Sequence, residues 1–357
     1  MAVDPLALLG ERAAIAGLRR RGAESCGGAS RLLPCRDGWV AVSLARPDDV
    51  GLVPAWLELT AAPRDPWAAI ADAVAERPGA AVLERARLLG LPVAWLPASA
   101  ARGEQPSPVR DRVVAPGGPV RDIADVTVVE LGALWAGPLC GSLLAACGAS
   151  VAKVESTARP DGARGGPAAF FDLLNAGKRS VALDLTIGHD VALLRDLVLR
   201  ADVVIEASRP RALEQLGIDA RAVIASGGPR AWVSITGHGR TGAARDWVAF
   251  GDDAAVAGGL VAWDDDGPVF CADAIADPVT GVVAAVGALE ALASGGHHLL
   301  DVPLAAVAAH LAGPTLPVAV PLEVADPSAR TASGPGPRLG EHTGAVLAEL
   351  RTAHARR

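Results

Sequence analysis

The sequence predicts an α/β fold: a large Rossmann-like domain built on a doubly wound parallel sheet, with a smaller α+β domain beside it. Continuous apolar and β-branched runs at 126–131, 180–185 and 201–206 alternate with stretches of helical spacing. Such runs are typical of strands buried on both faces of a parallel sheet. A stretch rich in Pro and Gly at 116–119 separates them from a segment of different texture, as expected at a domain boundary.

The predicted division has four parts, and a chain of 357 residues is long enough for two domains. Residues 1–115 are assigned to the small α+β domain, 116–122 to a linker and 123–312 to the Rossmann-like domain. Residues 313–357 are assigned to a C-terminal segment that packs on the large domain. The small domain contains one clear strand at 39–44 and helical spacing of Ala, Val and Leu after it.

The large domain is predicted to alternate strands and helices. Ligands on such sheets bind beyond the carboxyl ends of the strands. In chain order we expect strand 126–131, helix 137–147, strand 151–154, strand 180–185, helix 188–200, strand 201–206, a helix from 211, strand 230–235 and a long helix 278–293.

Composition excludes several classes of protein. Hydrophobic residues make up 51% and charged residues 20% of the chain, which is typical of a globular protein. The net charge of −7 is spread along the chain, so neither a nucleic acid nor a membrane is expected as a partner. No apolar run is expected to reach the ~18–20 residues that span a bilayer, and the first 20 residues lack the order of a signal peptide. The five cysteines form no C-x-x-C pair, which predicts neither a disulfide framework nor a metal site in a cytoplasmic protein.

The turn after the first strand of the large domain is the first candidate binding element. Gly132-Ala133-Leu134-Trp135-Ala136-Gly137-Pro138 follows the strand and opens a helix. Its glycine spacing is not that of a dinucleotide fingerprint. Glycines allow close approach of the backbone, and a helix N-terminus can face an anion. A plain tight turn remains the alternative.

A series of motifs in a fixed order is more specific than any single turn. The motifs are 128–132 (VVELG), 136–138 (AGP), 148–155 (GASVAKVE), 174–185 (LNAGKRSVALDL), 201–206 (ADVVIE) with Arg209-Pro210, 234–237 (SITG), 301–302 (DV) and 339–343 (LGEHT). Taken together, this series resembles the class III CoA-transferase family, which includes formyl-CoA and carnitine CoA-transferases and alpha-methylacyl-CoA racemases. The resemblance covers residues 123–312 and 337–350.

The resemblance implies an acyl-CoA:carboxylate CoA-transferase. In the family an aspartate attacks an acyl-CoA, giving a mixed anhydride and then an enzyme–CoA thioester. The matching aspartate here is Asp277, in Ala276-Asp277-Pro278-Val279-Thr280-Gly281. The CoA thioester is a substrate, no permanently bound cofactor is expected, and the partners are an acyl-CoA and a carboxylic acid acceptor. The family also implies a homodimer of two interlocked chains.

Asp277 also has a structural interpretation. An Asp before a Pro at the head of a helix is the pattern of an N-cap with Pro at the first helical position. The two roles are compatible, and N–H groups at the start of this helix could hold an oxyanion. Asp273, four residues earlier, is the nearest rival.

The residues that the resemblance implies for CoA binding form a partial set. Where several family members carry basic residues, this chain has Ser156, Thr186, Gln215 and Val248. Arg159 and Arg164 are close enough in the sequence to compensate for the first of these. Lys178 and Arg179 could also contribute, although a charge pair of this kind is more often solvated. The predicted cofactor-binding residues are Leu134, Trp135, Ala136, Arg159, Leu183 and Arg209.

Two alternatives to CoA transfer stay open: racemase-type chemistry at an α-carbon and a catalytically silent CoA-binding homologue. The racemases pair their aspartate with a histidine, and the matching place here is Phe250 or, by a shifted alignment, Gly251 or Asp252. None is histidine, which favours the transferase, and His238 in a nearby loop is either a cleft residue or an acid/base.

The order of the two domains departs from the family. The stretch from Gly27-Gly28 to 91–94 resembles the family's small domain but comes first, which predicts a circularly permuted chain. Gly27-Gly28 matches either a flexible loop over the site or a plain turn before a strand.

Overall fold

The structure is a computed structural model that describes residues 4–98, 106–313 and 325–354, with the last two side chains of that range left out. Part of the predicted C-terminal segment, 314–324 and 355–357, therefore lies outside the described residues. The strands are β1 (Ser30–Cys35), β2 (Gly38–Ser43), β3 (Val93–Pro97), β4 (Arg110–Ala115), β5 (Thr127–Leu131), β6 (Ser150–Ser156), β7 (Arg179–Leu183), β8 (Val203–Glu206), β9 (Ala231–Thr236), β10 (Val261–Asp264), β11 (Gly267–Phe270) and β12 (His297–Pro303). The helices are α1 (Ala7–Ala16), α2 (Pro47–Leu57), α3 (Pro66–Ala75), α4 (Gly79–Leu89), α5 (Ala136–Ala146), α6 (Ala168–Asn175), α7 (Gly188–Arg200), α8 (Arg211–Gln215), α9 (Ala220–Ala225), α10 (Gly251–Ala257), α11 (Ala276–Ser294), α12 (Leu304–Leu311) and α13 (Thr343–His354).

A seven-stranded sheet forms the centre of the fold, in the order β4-β12-β9-β8-β5-β6-β7. All neighbours are parallel except β4, which runs antiparallel to β12. Val128, Val203 and Val233 on one face and Val129, Val204 and Trp232 on the other belong to two separate buried clusters. The helices α5, α11 and α12 cover the first face, and α7, α9 and α13 cover the second. The predicted α/β class, with a doubly wound parallel sheet, is confirmed.

The segment before this sheet has an α+β arrangement. Strands β1, β2 and β3 form an antiparallel sheet, and helices α2, α3 and α4 pack on one face of it around Val40, Trp56 and Ile70. The opposite face, through Leu32 and Ala41, packs against α10 and the β10–β11 hairpin. The small sheet therefore packs on α10, a helix that also belongs to the core on the first face of the large sheet. This contact positions residues of the candidate site.

Three observations differ from the sequence predictions. Strand β4 lies in the large sheet, although the residues up to 115 were assigned to the small domain. Its side chains are mostly exposed, so it lacks the apolar pattern of the other strands. Helix α11 begins at Ala276, two residues before the predicted start at Pro278. It is also long and apolar enough to cross a bilayer, contrary to the expectation for the sequence, but 61% of its apolar window is buried, as in a core helix.

The C-terminal residues 335–354 contact the edge of the large sheet. His342 and Thr343 accept hydrogen bonds from the N–H groups of Ser180 and Ala182 at 3.1 and 3.0 Å. Helix α13 then adds Val346 to the core beside α7. At the other end of the chain, α1 lies against α6 and α11, near the first turn of α11.

Candidate active site

Asp277 lies in the first turn of α11 and is partly buried. The N-cap position is occupied by Ile275, and no side chain caps the helix there. The Asp277 N–H donates to the Ala274 carbonyl at 2.9 Å. The N-cap interpretation of Asp277 is therefore wrong, because the helix starts one residue before it. The N–H groups of Asp277 and Val279 are also engaged with carbonyls, so these two do not serve as oxyanion donors.

The backbone that leads into Asp277 has an unusual conformation. Ala272 and Ala274 have φ values of 51° and 44°, in the left-handed region that residues other than glycine rarely adopt. The Ala274 N–H donates to Asp252 Oδ1 at 3.0 Å, which fixes this loop against the head of α10. Strained backbone of this kind is maintained only where the surroundings over-determine it, and it clusters at functional sites.

Two glycines allow the close packing around this carboxylate. A Cβ atom at Gly251 would lie 2.7 Å from Asp277 Oδ2, so the backbone of α10 approaches the carboxylate directly. A Cβ atom at Gly281, one turn further along α11, would lie 2.8 Å from the Ala136 carbonyl oxygen. Gly281 therefore lets α11 pack closely on α5. This packing brings Asp277 toward the turn at the head of α5 that the sequence assigns to CoA.

Arg12, from α1, is the cation of this site. Its Nε donates to Asp273 Oδ2 at 2.7 Å, and a second guanidinium nitrogen contacts Asp273 Oδ1. The guanidinium also lies 5.4 Å from the centroid of the Trp135 ring. Arg12 thus connects the loop before Asp277 with the predicted CoA turn. Gly27 lies beside it, since a Cβ atom there would be 3.6 Å from an Arg12 nitrogen.

Asp252 and Asp253 at the head of α10 accept hydrogen bonds from the small sheet. The Ser30 hydroxyl donates to Asp252 Oδ2, and the Ser43 hydroxyl donates to Asp253 Oδ1, both at 2.9 Å. The N–H of Phe250 also donates to Asp253 Oδ1, whereas Asp253 Oδ2 is buried without a partner. We call Asp252, Asp253, Asp273 and Asp277 the aspartate cluster.

Three carboxyl groups of the aspartate cluster, those of Asp252, Asp253 and Asp277, have a raised pKa. Burial raises the pKa of Asp277 to about 7; Arg12 opposes this effect, and the charges of Asp252 and Asp273 add to it. Burial also raises the pKa of Asp253 to about 7 and the pKa of Asp252 above its usual range. Carboxyl groups whose pKa lies near the operating pH are candidates for a functional site.

The predicted CoA turn is held by a buried ion network. Lys153 Nζ contacts Glu130 Oε1 at 3.0 Å and Asp161 Oδ2 at 2.9 Å, and Lys178 Nζ contacts Glu130 Oε2 at 2.7 Å. Asp161 in turn accepts the N–H of Leu134 at 2.9 Å. Lys178 is therefore buried and paired, and its interpretation as a solvated charge is wrong.

Within this turn the three predicted residues have different environments. Leu134 has a φ of 66° and is 42% exposed. Trp135 and Ala136 are buried, and the Trp135 ring packs edge-on against Phe170 at 5.2 Å. Leu134, together with the exposed Ala133 before it, is thus a part of the turn open to a ligand.

Two of the predicted cofactor-binding residues, Arg159 and Arg209, lie in one basic group. Burial and the positive charges of Arg211, Arg46 and Arg159 lower the pKa of Arg209. Arg46 is paired with Asp49, and Arg211 with Asp246 at 3.5 Å. Within the described ranges, Arg159 and Arg209 have no carboxylate partner, and guanidinium groups in this state suit a phosphate.

The remaining candidates lie outside the aspartate cluster. Leu183 is buried in the core on the far face of the large sheet. His238 packs edge-on against Trp247 at 5.6 Å, and burial lowers its pKa to about 4, with Arg87 acting in the same direction. It is therefore a neutral imidazole at physiological pH.

Sequence analysis missed Arg12, Ser30 and Ser43 as parts of the site. They precede the aspartates that they contact by more than 200 residues, and no local pattern predicts such contacts. A usable signal was present at Asp252-Asp253, since two adjacent acids before the apolar run 254–257 are unusual for a buried helix.

Comparisons with known proteins agree with the resemblance. Residues 123–334, more than half of the chain, match the family described as CoA-transferase family III. A succinyl-CoA–D-citramalate CoA-transferase from Chloroflexus aurantiacus is 35% identical over 198 residues, which are 52% of this chain and 49% of that protein. A succinate–glutarate CoA-transferase from Agrobacterium fabrum is 35% identical over 213 residues, covering 52% of this chain and 53% of that protein.

The solved structures include a hypothetical protein from Mycobacterium tuberculosis with a TM-score of 0.50 and 28% identity, covering 54% of this chain and 57% of that one. The chain spans about half the length of the curated relatives that it matches. On the match over residues 123–334, the chain belongs to CoA-transferase family III.

Proposed function

We propose that this protein transfers coenzyme A between two carboxylic acids and that Asp277 is the covalent carrier. The observation that carries the proposal is the placement of Asp277. It is a partly buried carboxylate whose pKa is raised to about 7. It lies in the first turn of α11, which packs through Gly281 on the helix whose first turn is assigned to CoA. Family membership and relatives named as CoA-transferases support the same chemistry.

The proposed cycle starts and ends with ionised Asp277. Its carboxylate attacks the thioester carbonyl of the donor, forming an aspartyl–acyl anhydride and releasing CoA thiolate. The thiolate attacks the aspartyl carbonyl, which gives an aspartyl–CoA thioester and frees the donor acid. The acceptor carboxylate and the released thiolate repeat these two steps in reverse, and Asp277 returns as a carboxylate. A carboxylate suits this role because it can form and surrender an acyl bond without a separate base.

Dicarboxylic acids are the substrate class to test first. The two relatives compared above are named for succinyl, citramalate and glutarate groups. We propose Arg159 and Arg209 as contacts of the CoA phosphates because neither is neutralised by a carboxylate in the described part of the chain. We also propose that the protein works as a homodimer in the cytoplasm, and light scattering of the purified chain tests the dimer.

The deciding experiment is intact-mass analysis after incubation with succinyl-CoA or glutaryl-CoA and trapping with hydroxylamine. We expect a mass change that maps to Asp277 and is absent from Asp277→Ala. Asp265→Ala, in an exposed turn, is the control and should retain the adduct. No adduct with a wider panel of acyl-CoA donors would reject the covalent role.

Proton exchange at an α-carbon is the second candidate, and the contact between α10 and α11 is the observation that favours it. Asp252, at a position considered for the racemase histidine, has its charge close enough to raise the pKa of Asp277. Both Asp252 oxygens already accept hydrogen bonds, which favours the transferase. Incorporation of deuterium from heavy water into 2-methylacyl-CoA, without a covalent adduct, would establish this alternative instead.

A further inference from the structure

We propose that Arg12 is a positioning residue that Asp273 fixes beside Asp277, where its charge keeps the Asp277 carboxylate ionised for attack on the thioester. This inference rests on the proposed function and adds a part to it. Arg12 belongs to α1, outside the residues 123–334 that match the family.

The geometry of Arg12 is that of a fixed cation. Two of its nitrogens contact the two oxygens of Asp273, whose side chain is 2% exposed. A bidentate pair of this kind fixes the plane of the guanidinium as well as its position. The Trp135 ring adds a cation–π contact from a third element. Helix α1, the loop before α11 and the head of α5 thus together fix one charge.

The position of Asp273 explains why this charge acts on Asp277. Asp273 lies four residues before Asp277, and the intervening loop turns back so that the Asp277 N–H meets the Ala274 carbonyl. A cation anchored on Asp273 is therefore held next to the start of α11. The positive φ values at Ala272 and Ala274 belong to the turn of the backbone that leads into α11. The strained loop and the ion pair serve the same placement.

The charges around Asp277 require a cation of this kind. Asp252 from α10 and Asp273 from the preceding loop both disfavour an ionised Asp277, and burial disfavours it most. Arg12 has the largest opposing effect. Cys26, whose thiol donates to the Ala272 carbonyl at 3.3 Å, is the other titratable group beside Arg12 and these aspartates, and burial raises its pKa. Without Arg12, Asp277 would be largely protonated at neutral pH and would be a poor nucleophile.

The first test measures the ionisation of Asp277 and needs no acyl-CoA. Protein labelled with ¹³C at the aspartate carboxyl groups is titrated by NMR, and Asp277 is assigned by comparison with Asp277→Asn. We expect Arg12→Gln to raise the pKa of Asp277 by about 1, within the range for an opposite charge at close distance. Arg12→Lys should retain most of the wild-type value. Arg19→Gln, an exposed arginine paired with Asp326, is the matched control and should change nothing.

A double variant distinguishes a direct effect of the Arg12 charge on Asp277 from an indirect effect through neutralisation of Asp273. In Arg12→Gln/Asp273→Asn both charges are removed, and the pKa of Asp277 should stay above the wild-type value because the Arg12 effect is the larger one. A return to the wild-type value would mean that Arg12 only neutralises Asp273 and would overturn the proposal. An unchanged pKa in Arg12→Gln would overturn it as well.

The second test uses the rate of adduct formation against pH. We expect the acid limb of the pH–rate profile of Arg12→Gln to move to higher pH by as much as the pKa of Asp277 rises. At high pH the variant should reach the wild-type rate. A purely structural role would lower the rate by one factor at every pH and leave the limb in place. If the wild type forms no adduct, the proposed function fails, while the NMR titration still decides the role of Arg12.

Discussion

Two groups of charged residues lie at the N-terminal ends of neighbouring helices, and they differ in how many cations face their carboxylates. At the head of α5, Lys153 and Lys178 face Glu130 and Asp161, and each lysine contacts a carboxylate within 3.0 Å. At the head of α11, Arg12 faces three members of the aspartate cluster, Asp252, Asp273 and Asp277. The balanced ion network has two cations for two acids, so its charges are satisfied. In the aspartate cluster, burial raises the pKa of Asp252, Asp253 and Asp277, and Arg12 opposes this effect only in part at Asp252 and Asp277.

The difference indicates separate roles for the two groups. In the paired network the lysines keep the pKa values of Glu130 and Asp161 below their usual range, although burial lowers the pKa of Lys178 to about 8. Asp161 of this network holds the turn through the N–H of Leu134. An underpaired cluster contains carboxyls that can gain or lose a proton near neutral pH, which is what nucleophilic or acid–base chemistry requires. The same residue type, aspartate, is thus an ion-pair partner of Lys153 at 161 and the proposed nucleophile at 277.

Removing a cation from the balanced network should have the largest effect. Lys153→Met leaves Glu130 and Asp161 buried with one charge partner fewer, and we expect a loss of about 3–5 kcal/mol in the free energy of unfolding. Urea denaturation followed by circular dichroism measures it. Arg85→Met removes the exposed pair with Glu58 and should cost under about 1 kcal/mol. Equal losses in the two variants would contradict the distinction.

Removing a charge from the aspartate cluster should raise the free energy of unfolding rather than lower it. The pKa of Asp253 is raised in the folded state, to about 7, so its contribution to stability is fully present below its unfolded pKa and is lost as pH rises through 7. Asp253→Asn keeps an oxygen for Ser43 and Phe250. We expect it to match the wild type near pH 4 and to be more stable by about 2–4 kcal/mol near pH 8. Urea denaturation at both pH values checks this, and a less stable variant at pH 8 would reject the burial argument.

The balanced network should also influence CoA binding through the turn that it holds. Asp161→Ala removes the acceptor of the Leu134 N–H, and we expect the Kd for CoA to rise about tenfold, or about 1.4 kcal/mol. Isothermal titration calorimetry measures this. Asp161→Asn retains an acceptor oxygen and should have a smaller effect on the Kd. Similar values for both variants would show that charge, rather than the hydrogen bond to Leu134, matters.

The sequence was informative where the signal is local. Apolar β-branched runs predicted the parallel strands, and the motif around Asp277 located it through the family. Strand β4 was missed because its side chains are mostly exposed. The start of α11 was misplaced because Pro278 is the third residue of the helix rather than the first. Arg12 could not be predicted, since it contacts an aspartate 261 residues away.

The contact between the small sheet and α10 gives the smallest predicted effect. Ser43→Ala removes the hydroxyl that donates to Asp253 Oδ1 while the Phe250 N–H remains. We expect a loss of about 1 kcal/mol at pH 8, the usual value for one hydrogen bond. The loss should be smaller at pH 4, because a protonated Asp253 needs the donor less. In the Asp253→Asn background the effect of Ser43→Ala should no longer depend on pH, and urea denaturation of the four proteins at both pH values measures this coupling. A pH-independent loss in the wild-type background would mean that Ser43 packs against α10 without influencing the ionisation of the aspartate cluster.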